Sequence, residues 1–209
     1  GAYAAGAAPL SGGLFQNNAC TGASCYGGGA YFGETANVTG TTFMSNTSSN
    51  YGGGIYTARA LYVTNTTFVT NTASTGGGGA IRNESPTDPT VLDNVVAISN
   101  TAGTWGGMLD SHNGPVTVRN SVFSRNVAIV NRGGAMNANG NPTIITNSSF
   151  TDNAAGTGGG GVSLNQATSV TATTFIRNRA PNGGGVYLQG NGARTEQFDN
   201  VLFAANSAS

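Results

Sequence analysis

One pattern recurs along the whole chain, and its period limits the folds open to it. F-x-x-N-x-A occurs five times, and three looser copies complete a series of eight, with Ala97 in the Phe position of the fourth. The leading residues stand at positions 15, 43, 68, 97, 123, 150, 175 and 203, so copies lie 25 to 29 residues apart. A period in this range indicates a solenoid, in which each unit buries its apolar face only against its neighbours.

Two further columns keep step with the repeat. Glycine runs, each followed by apolar residues, end at Gly29, Gly54, Gly79, Gly107, Gly134, Gly161 and Gly185. An apolar residue precedes each leading position by five: Leu10, Val38, Val63, Leu92, Val118, Ile145, Val170 and Phe198. Gly, Asn, Thr and Ser dominate and no 3.6-residue periodicity is sustained, so short strands are favoured over helices. We predict an all-β, right-handed parallel β-helix. Residues 1–209 would form a single domain of about eight coils, about 26 residues each, with three short strands per coil and coils stacked about 4.8 Å apart.

Matching residues of successive coils should stack into ladders. The predicted core ladder comprises Phe15, Phe43, Phe68, Phe123, Phe150, Phe175 and Phe203. One predicted asparagine ladder, three residues after the leading position, comprises Asn18, Asn46, Asn71, Asn100, Asn126, Asn153, Asn178 and Asn206. A second, three residues before it, comprises Asn65, Asn94, Asn120, Asn147 and Asn200. Amide groups can hydrogen-bond along the axis, and Asn suits turns that need a left-handed backbone. Both ladders are expected inside the bends.

The composition narrows the partners. Charged residues make up 8% of the chain, with eight Arg, no Lys and a formal net charge of zero. This balance argues against nucleic acid or an anionic membrane surface as a partner. No apolar run approaches the roughly 18 residues that a membrane-spanning helix needs. We expect no cofactor.

The paired motifs F-x-x-N and G-G-[A/I/V] resemble the repeats of the chlamydial polymorphic outer-membrane proteins. They are also similar to right-handed parallel β-helix repeat proteins that serve as autotransporter passengers or surface adhesins. The resemblance covers all eight units and implies the β-helix fold and an extracellular or cell-surface location. It does not select one function, since this fold also carries polysaccharide lyases.

The titratable residues favour a protein that is not an enzyme. Carboxylate pairs that work on polysaccharides must converge, and the eight acidic residues here fall in different columns. The only histidine, His112, is interpreted as a surface loop residue. Arg125, Asp152 and Arg177 share one column. They could form an ion-pair ladder on the surface, or they could contact an anion or a glycan. A polysaccharide lyase or hydrolase remains the less favoured reading, and no metal site is expected.

Cysteines and sequons point to an oxidising compartment. Cys20 and Cys25 flank a four-residue loop, which favours a local disulfide over two free thiols. Sequons place possible glycans at Asn37, Asn46 and Asn83. The sequons at Asn65 and Asn147 are expected to be poor acceptors because those residues belong to the second ladder.

An apolar column follows the glycine runs by two residues. It contains Tyr3, Tyr31, Tyr56 and Tyr187, together with Ile81, Leu109 and Met136. If this column faces outward, it forms an apolar stripe of the kind that marks a contact surface. A loosely two-sided strand is the alternative.

The ends of the chain lie in the same register, as if it held a whole number of coils without caps. Uncapped coils expose strand edges that invite pairing. The sequence therefore favours an extracellular structural protein that polymerises head to tail into a fibre. A surface adhesin or carbohydrate-binding passenger fragment is the alternative. The expected axial contacts are Gly1, Ala2, Tyr3, Phe203, Asn206 and Ser209.

Overall fold

The computed structural model describes residues 1–190 and 195–208, and in that part of the chain every regular element is a β-strand. The strands form four parallel sheets of eight strands, and each sheet takes one strand from every coil. The predicted parallel β-helix of eight coils is therefore confirmed. We number the coils 1 to 8, so that coil 1 contains Phe15 and coil 8 contains Phe203.

The first two sheets carry three-residue and four-residue strands. The first sheet consists of Ala2–Ala4, Ala30–Phe32, Ile55–Thr57, Ile81–Asn83, Leu109–Ser111, Met136–Ala138, Val162–Leu164 and Val186–Leu188. The second sheet consists of Ala8–Ser11, Ala36–Thr39, Leu61–Thr64, Thr90–Asp93, Val116–Arg119, Thr143–Thr146, Thr168–Thr171 and Glu196–Asp199.

The third sheet carries the leading residue of each repeat, and the fourth follows it directly. The third sheet consists of Leu14–Gln16, Thr42–Met44, Thr67–Val69, Val96–Ile98, Val122–Ser124, Ser149–Thr151, Thr174–Ile176 and Leu202–Ala204. The fourth consists of Ala19–Cys20, Thr47–Ser48, Thr72–Ala73, Thr101–Ala102, Val127–Ala128, Ala154–Ala155, Arg179–Ala180 and Ser207–Ala208.

The fourth sheet corrects the expected three strands per coil. Its strands are only two residues long, as at Thr72–Ala73. Two residues are too few to show an alternating pattern in the sequence, although their main chains still pair from coil to coil. The -x-A that closes the repeat is thus a strand and not part of a turn.

The core is a stack of the leading residues. Phe43 pairs with Phe68 in register, and Phe123 pairs with Phe150. Ring centroids of successive phenylalanines lie 4.7–5.2 Å apart with nearly parallel planes. Ala97 interrupts the stack and is itself fully buried. The column five residues earlier is also buried in coils 2 to 7, so alternation along the strands fills the interior with apolar side chains.

The asparagine that follows each leading residue forms a continuous ladder at the bend between the third and fourth sheets. From Asn18 to Asn178, each side-chain Nδ2 donates to Oδ1 of the asparagine one coil further on, at 2.8–3.0 Å. From Asn46 to Asn206, Nδ2 also donates at 2.7–3.1 Å to the carbonyl of the leading residue one coil back. The main-chain N–H of each asparagine from Asn18 to Asn178 donates to the same Oδ1. The bend therefore leaves little buried polarity unsatisfied.

The glycine runs make the tight corner between the fourth and first sheets. Gly78 has φ of +71°, and a Cβ there would strike the carbonyl of Ile81. Gly53 meets the main chain of two other coil segments, so a side chain would collide with Gly79 and Thr72. The corner requires glycine both for its left-handed backbone and for the close approach of neighbouring coils.

Candidate functional site

The outward column of the first sheet gathers more chemically active side chains than the sequence indicated. Its members in register are Tyr3, Tyr31, Tyr56, Arg82, Asp110, Asn137, Ser163 and Tyr187. The predicted apolar stripe is wrong in its middle part, because Ile81, Leu109 and Met136 face the core and are fully buried.

A change in the glycine runs explains the error. In coils 4 to 6 the third glycine of the corner is replaced by Ala80, Met108 and Ala135, so the run ends one residue early. A column counted from the last glycine is therefore displaced by one residue, which exchanges inside for outside. The outward residue lies four positions after the left-handed glycine of the corner, as Arg82 does after Gly78 and Asp110 after Gly106.

Aromatic rings occupy the first three coils of this face. Tyr3 and Tyr31 stack at 5.1 Å between centroids, and Tyr31 and Tyr56 at 5.2 Å. Tyr26 adds a further ring 4.9 Å from Tyr56 and 5.9 Å from Tyr51. Burial, aided by the charge of Glu84, raises the pKa of Tyr56 to about 12. Tyr56 is thus a neutral hydroxyl, and the cluster presents ring edges and phenols outward.

A charged cluster takes over in coils 4 to 6. Arg82 forms ion pairs with Asp110 in the next coil and with Glu84, and it lies 5.0 Å from the ring centre of Tyr51. Nδ2 of Asn137 donates to Oδ1 of Asp110 at 2.9 Å. Two of the acidic residues, Glu84 and Asp110, therefore converge on one guanidinium although they stand in different columns of the sequence.

Burial dominates the electrostatics of this cluster. Burial raises the pKa of Asp110, and the charge of Arg82 and the hydrogen bond from Asn137 offset only part of that effect. Burial also opposes the charge of Arg82, but Asp110 and Glu84 outweigh it and raise the pKa of the guanidinium. Asp110 is only 1% exposed, and a side chain at Gly77 would collide with its carboxylate. The pair therefore joins two coils beneath a covering loop and has little room for a substrate.

The rim of the cluster is exposed. Nδ1 of His112 lies 3.0 Å from Oε1 of Glu84, and both side chains reach solvent. The histidine is a surface residue, as predicted, but it joins adjacent coils through Glu84. Within residues 1–190 and 195–208, no group of three or more His, Cys, Asp or Glu side chains could hold a metal ion.

The remaining ion pairs also join adjacent coils. Arg177 contacts Asp152 through two hydrogen bonds of 2.8 and 2.9 Å, and Arg119 contacts Asp93 at 2.9 Å. Arg125, Asp152 and Arg177 do share one column at the bend after the third sheet, each with a positive φ. These exposed pairs contribute little stability in water.

The two cysteines are bonded. Cys20 and Cys25 form a disulfide with Cα atoms 5.6 Å apart. The bridge closes the loop at the end of the first coil. Structural disulfides of this kind are typical of proteins outside the reducing cytosol.

Burial revises the candidate glycan sites. Asn37 is exposed on the second sheet, whereas Asn46 and Asn83 are buried. Asn46 belongs to the inner ladder, and Nδ2 of Asn83 donates to Oγ1 of Thr90 at 2.7 Å. A glycan on Asn46 or Asn83 is therefore incompatible with the folded chain.

The second asparagine ladder also lies elsewhere than expected. Asn65, Asn94, Asn120, Asn147 and Asn200 are all exposed, on the outside of the bend between the second and third sheets. Each has φ near +50°, as the turn prediction required. The prediction that Asn65 and Asn147 lie inside this bend is therefore wrong, and both sequons face solvent.

The expected axial contacts lie on the outermost coils. Gly1, Ala2 and Tyr3 are exposed on coil 1, and Phe203 is exposed on coil 8, where Asn206 is half-buried. The main-chain amine of Gly1 donates to Oδ1 of Asn18 at 2.9 Å. Ser209 lies outside the described residues.

Fold and outer face together define a parallel β-helix repeat protein. A family model for the Chlamydia polymorphic membrane protein repeat matches residues 40–58. The matched segment runs from the bend before Phe43 to the first-sheet strand Ile55–Thr57, and so contains one copy of each motif. The chain is similar to that family in its repeat, and the suspected resemblance is confirmed. An outer-membrane or cell-surface location agrees with the match.

Two broader comparisons gave no further relatives. Neither the curated proteins nor the solved structures contain a significant match to the chain. In the described residues there is no helix with the length and apolar character needed to cross a bilayer.

Proposed function

We propose that the chain is a non-enzymatic structural part of an extracellular or cell-surface protein. In this proposal, it forms a rigid β-helical rod that grows along its axis by stacking coil on coil. The finer proposal is that the added coils belong to a second copy, so that subunits assemble head to tail into a fibre.

One observation carries the proposal: the outermost coils expose rungs of the core ladder. Phe203 is 48% exposed, whereas the same position in coils 5 to 7 is fully buried. At the opposite end the core rung Phe15 is only half-buried, whereas Phe43 and Phe68 in coils 2 and 3 are fully buried. Apolar surface of this kind favours a partner that covers it.

The two outer surfaces are complementary in their hydrogen bonds. Following the ladder pattern, the main-chain N–H of Asn206 and its Nδ2 would donate to Oδ1 of Asn18 in a second copy, in place of the bond from the amine of Gly1. Nδ2 of Asn18, which has one hydrogen bond to Asn46, would donate to the carbonyl of Phe203. The junction would repeat the contacts made between any two coils. Eight coils at about 4.8 Å give an axial step of roughly 38 Å.

Charge does not oppose such a stack. The net charge is zero, and Lys, a common guard against edge pairing, is absent from the sequence. The non-enzymatic part is supported by the sealed position of Asp110, because a general acid or base must reach its substrate.

Electron microscopy and sedimentation of the chain over a concentration series test the fibre. We expect rods with an axial repeat of roughly 38 Å, which Phe203→Asp should disrupt. Val130→Asp is the matched control, since it places the same charge on an exposed apolar loop residue away from the ends. A monomer at all concentrations, or equal assembly of the two variants, would contradict the proposal.

The tyrosine cluster favours adhesion as a second candidate function. Its phenols and ring edges lie on a lateral face, and tyrosine is enriched at binding surfaces. Tyr31→Ala should weaken attachment to a surface without changing the monomer fold. Attachment that is unaffected by this variant would exclude the cluster as the adhesive surface.

A further inference from the structure

One coil has an unusual residue in the left-handed position of the bend between the second and third sheets. The bend between the second and third sheets uses asparagine in five coils and glycine in two, Gly12 and Gly40. Coil 7 has Ala172 there, with φ of +48°. A left-handed backbone is unfavourable for alanine, whereas asparagine and glycine adopt it readily. Such a departure invites a functional explanation.

The missing side chain leaves a hollow. Two adjoining hollows, of about 430 and 330 Å³, share Ala172 and Thr174 in their walls. Asn200 borders the first and Asn147 the second. These volumes lie at the lower end of the range for small-ligand sites. We call the pair of hollows the Ala172 notch.

The amides on either side of the Ala172 notch are unpaired toward it. Nδ2 of Asn147 donates to Oδ1 of Asn120 at 2.9 Å, as Asn94 donates to Asn65 at 2.7 Å. By the same pattern, Oδ1 of Asn147 is open toward coil 7, and so is Nδ2 of Asn200. Two coil spacings, roughly 10 Å, separate these positions. An acceptor and a donor therefore face each other across a gap that one more amide would have closed.

The walls of the Ala172 notch specify the chemistry of a ligand. Hydroxyls of Ser149 and Thr174 and apolar groups of Val122 and Leu202 line it, and none of its lining residues is charged. An anion would find no cation there. Sugar hydroxyls both donate and accept hydrogen bonds, so they match an amide oxygen, an amide nitrogen and neighbouring hydroxyls.

We propose that the Ala172 notch binds a unit of a neutral glycan. One sugar hydroxyl would donate to Oδ1 of Asn147, and another group would accept from Nδ2 of Asn200. The unit would take the place of the missing rung of the ladder. This site lies on the lateral face, so it does not rest on fibre formation and would operate in a monomer.

Titration calorimetry of the chain tests the proposal. The probes are cellohexaose and the hexamer of N-acetylglucosamine, with polygalacturonate as the acidic comparison. Ala172→Asn should fill the notch and complete the ladder, lowering affinity at least about tenfold through loss of the hydrogen bonds and the space. It replaces alanine with a residue that favours this backbone, so misfolding does not explain a loss.

Ala205→Asn is the matched control, because Ala205 is an exposed alanine with φ of +53° at the other edge of the third sheet. We expect this variant to bind like the unmodified chain. Binding of either neutral hexamer that is lost in Ala172→Asn alone supports the site. Equal binding by both variants, binding of polygalacturonate only, or no binding of either neutral hexamer would overturn it.

Discussion

Two asparagine ladders run along this β-helix, one inside a bend and one outside. From Asn46 to Asn178 the inner ladder is fully buried, and each side chain takes part in bonds with both neighbouring coils. The outer ladder is exposed, and its side chains make no more than two bonds each, as Asn120 does with Asp93 and Asn147. Asparagine therefore has a different role in each of the two ladders.

The two ladders differ in which other residues occur at the asparagine position. The inner column holds asparagine in all eight coils, whereas the outer column also accepts glycine and alanine. A buried N–H without a partner is costly, while an exposed one binds water. Inside, the side chain is needed for its hydrogen bonds; outside, the backbone conformation decides the choice.

Removing an inner rung should have the largest effect. Asn126→Ala would leave the main-chain N–H and Nδ2 of Asn100 without their acceptor. The carbonyl of Ala97 and Oδ1 of Asn153 would each lose the bond from Nδ2, although the main-chain N–H of residue 126 would still donate to Asn153. We expect a loss of about 3–5 kcal/mol in the free energy of unfolding. Urea denaturation followed by circular dichroism measures it.

The outer ladder supplies the control. Asn147→Gly removes an exposed amide but keeps a residue suited to φ of +48°, so stability should change by less than about 1 kcal/mol. Comparable losses in the two variants would show that burial does not separate the ladders.

A second contrast between buried and exposed groups concerns pH. Burial raises the pKa of Asp110, so the native state takes up its proton at a higher pH than the unfolded chain. Its contribution to the free energy of unfolding therefore rises as the pH falls through the folded pKa toward the unfolded value of about 3.9. The hydrogen bond from Arg177 lowers the pKa of the exposed Asp152. The stabilisation from Asp152 is thus present above about 3.9 and is lost as the pH falls further.

Urea denaturation between pH 7 and pH 3 separates the two groups. Relative to Asp110→Asn, the unmodified chain should gain stability on acidification; relative to Asp152→Asn, it should lose a smaller amount because solvent screens that pair. Differences of the same sign would mean that burial does not set the behaviour of Asp110.

The period made most of this fold predictable, because residues at fixed offsets must stack when coils are parallel. The phenylalanine stack and the inner ladder depend only on that spacing. The first-sheet face was misread because Met108 and its two neighbours in the column replace a glycine, and a landmark tied to the run's end then slips by one residue. The Arg82–Asp110 pair was consequently missed.

Two other features of the fold could not be predicted from the sequence pattern. Strands such as Thr72–Ala73 are too short to show alternation, and their pairing depends on the glycine corner that follows. The outer position of Asn65 depends on which way the bend turns, and a repeat spacing does not reveal that direction. Both required the path of the main chain.

The smallest expected effect comes from substitutions of Ala172, which separate two contributions to the stability of the outer ladder: the backbone conformation and the hydrogen bonds of the side-chain amide. Ala172→Asn should raise the free energy of unfolding by about 0.5–1 kcal/mol, since asparagine favours the left-handed backbone and gains exposed bonds to Asn147 and Asn200. Ala172→Gly relieves the same backbone but adds freedom to the unfolded chain, so it should lie within about 0.5 kcal/mol of the unmodified chain. Paired urea titrations resolve the two if their midpoints are measured side by side. Equal stability of the two variants would show that outer amides contribute nothing beyond their backbone preference, and the outer ladder would then be a row of turns with no axial bonding of its own.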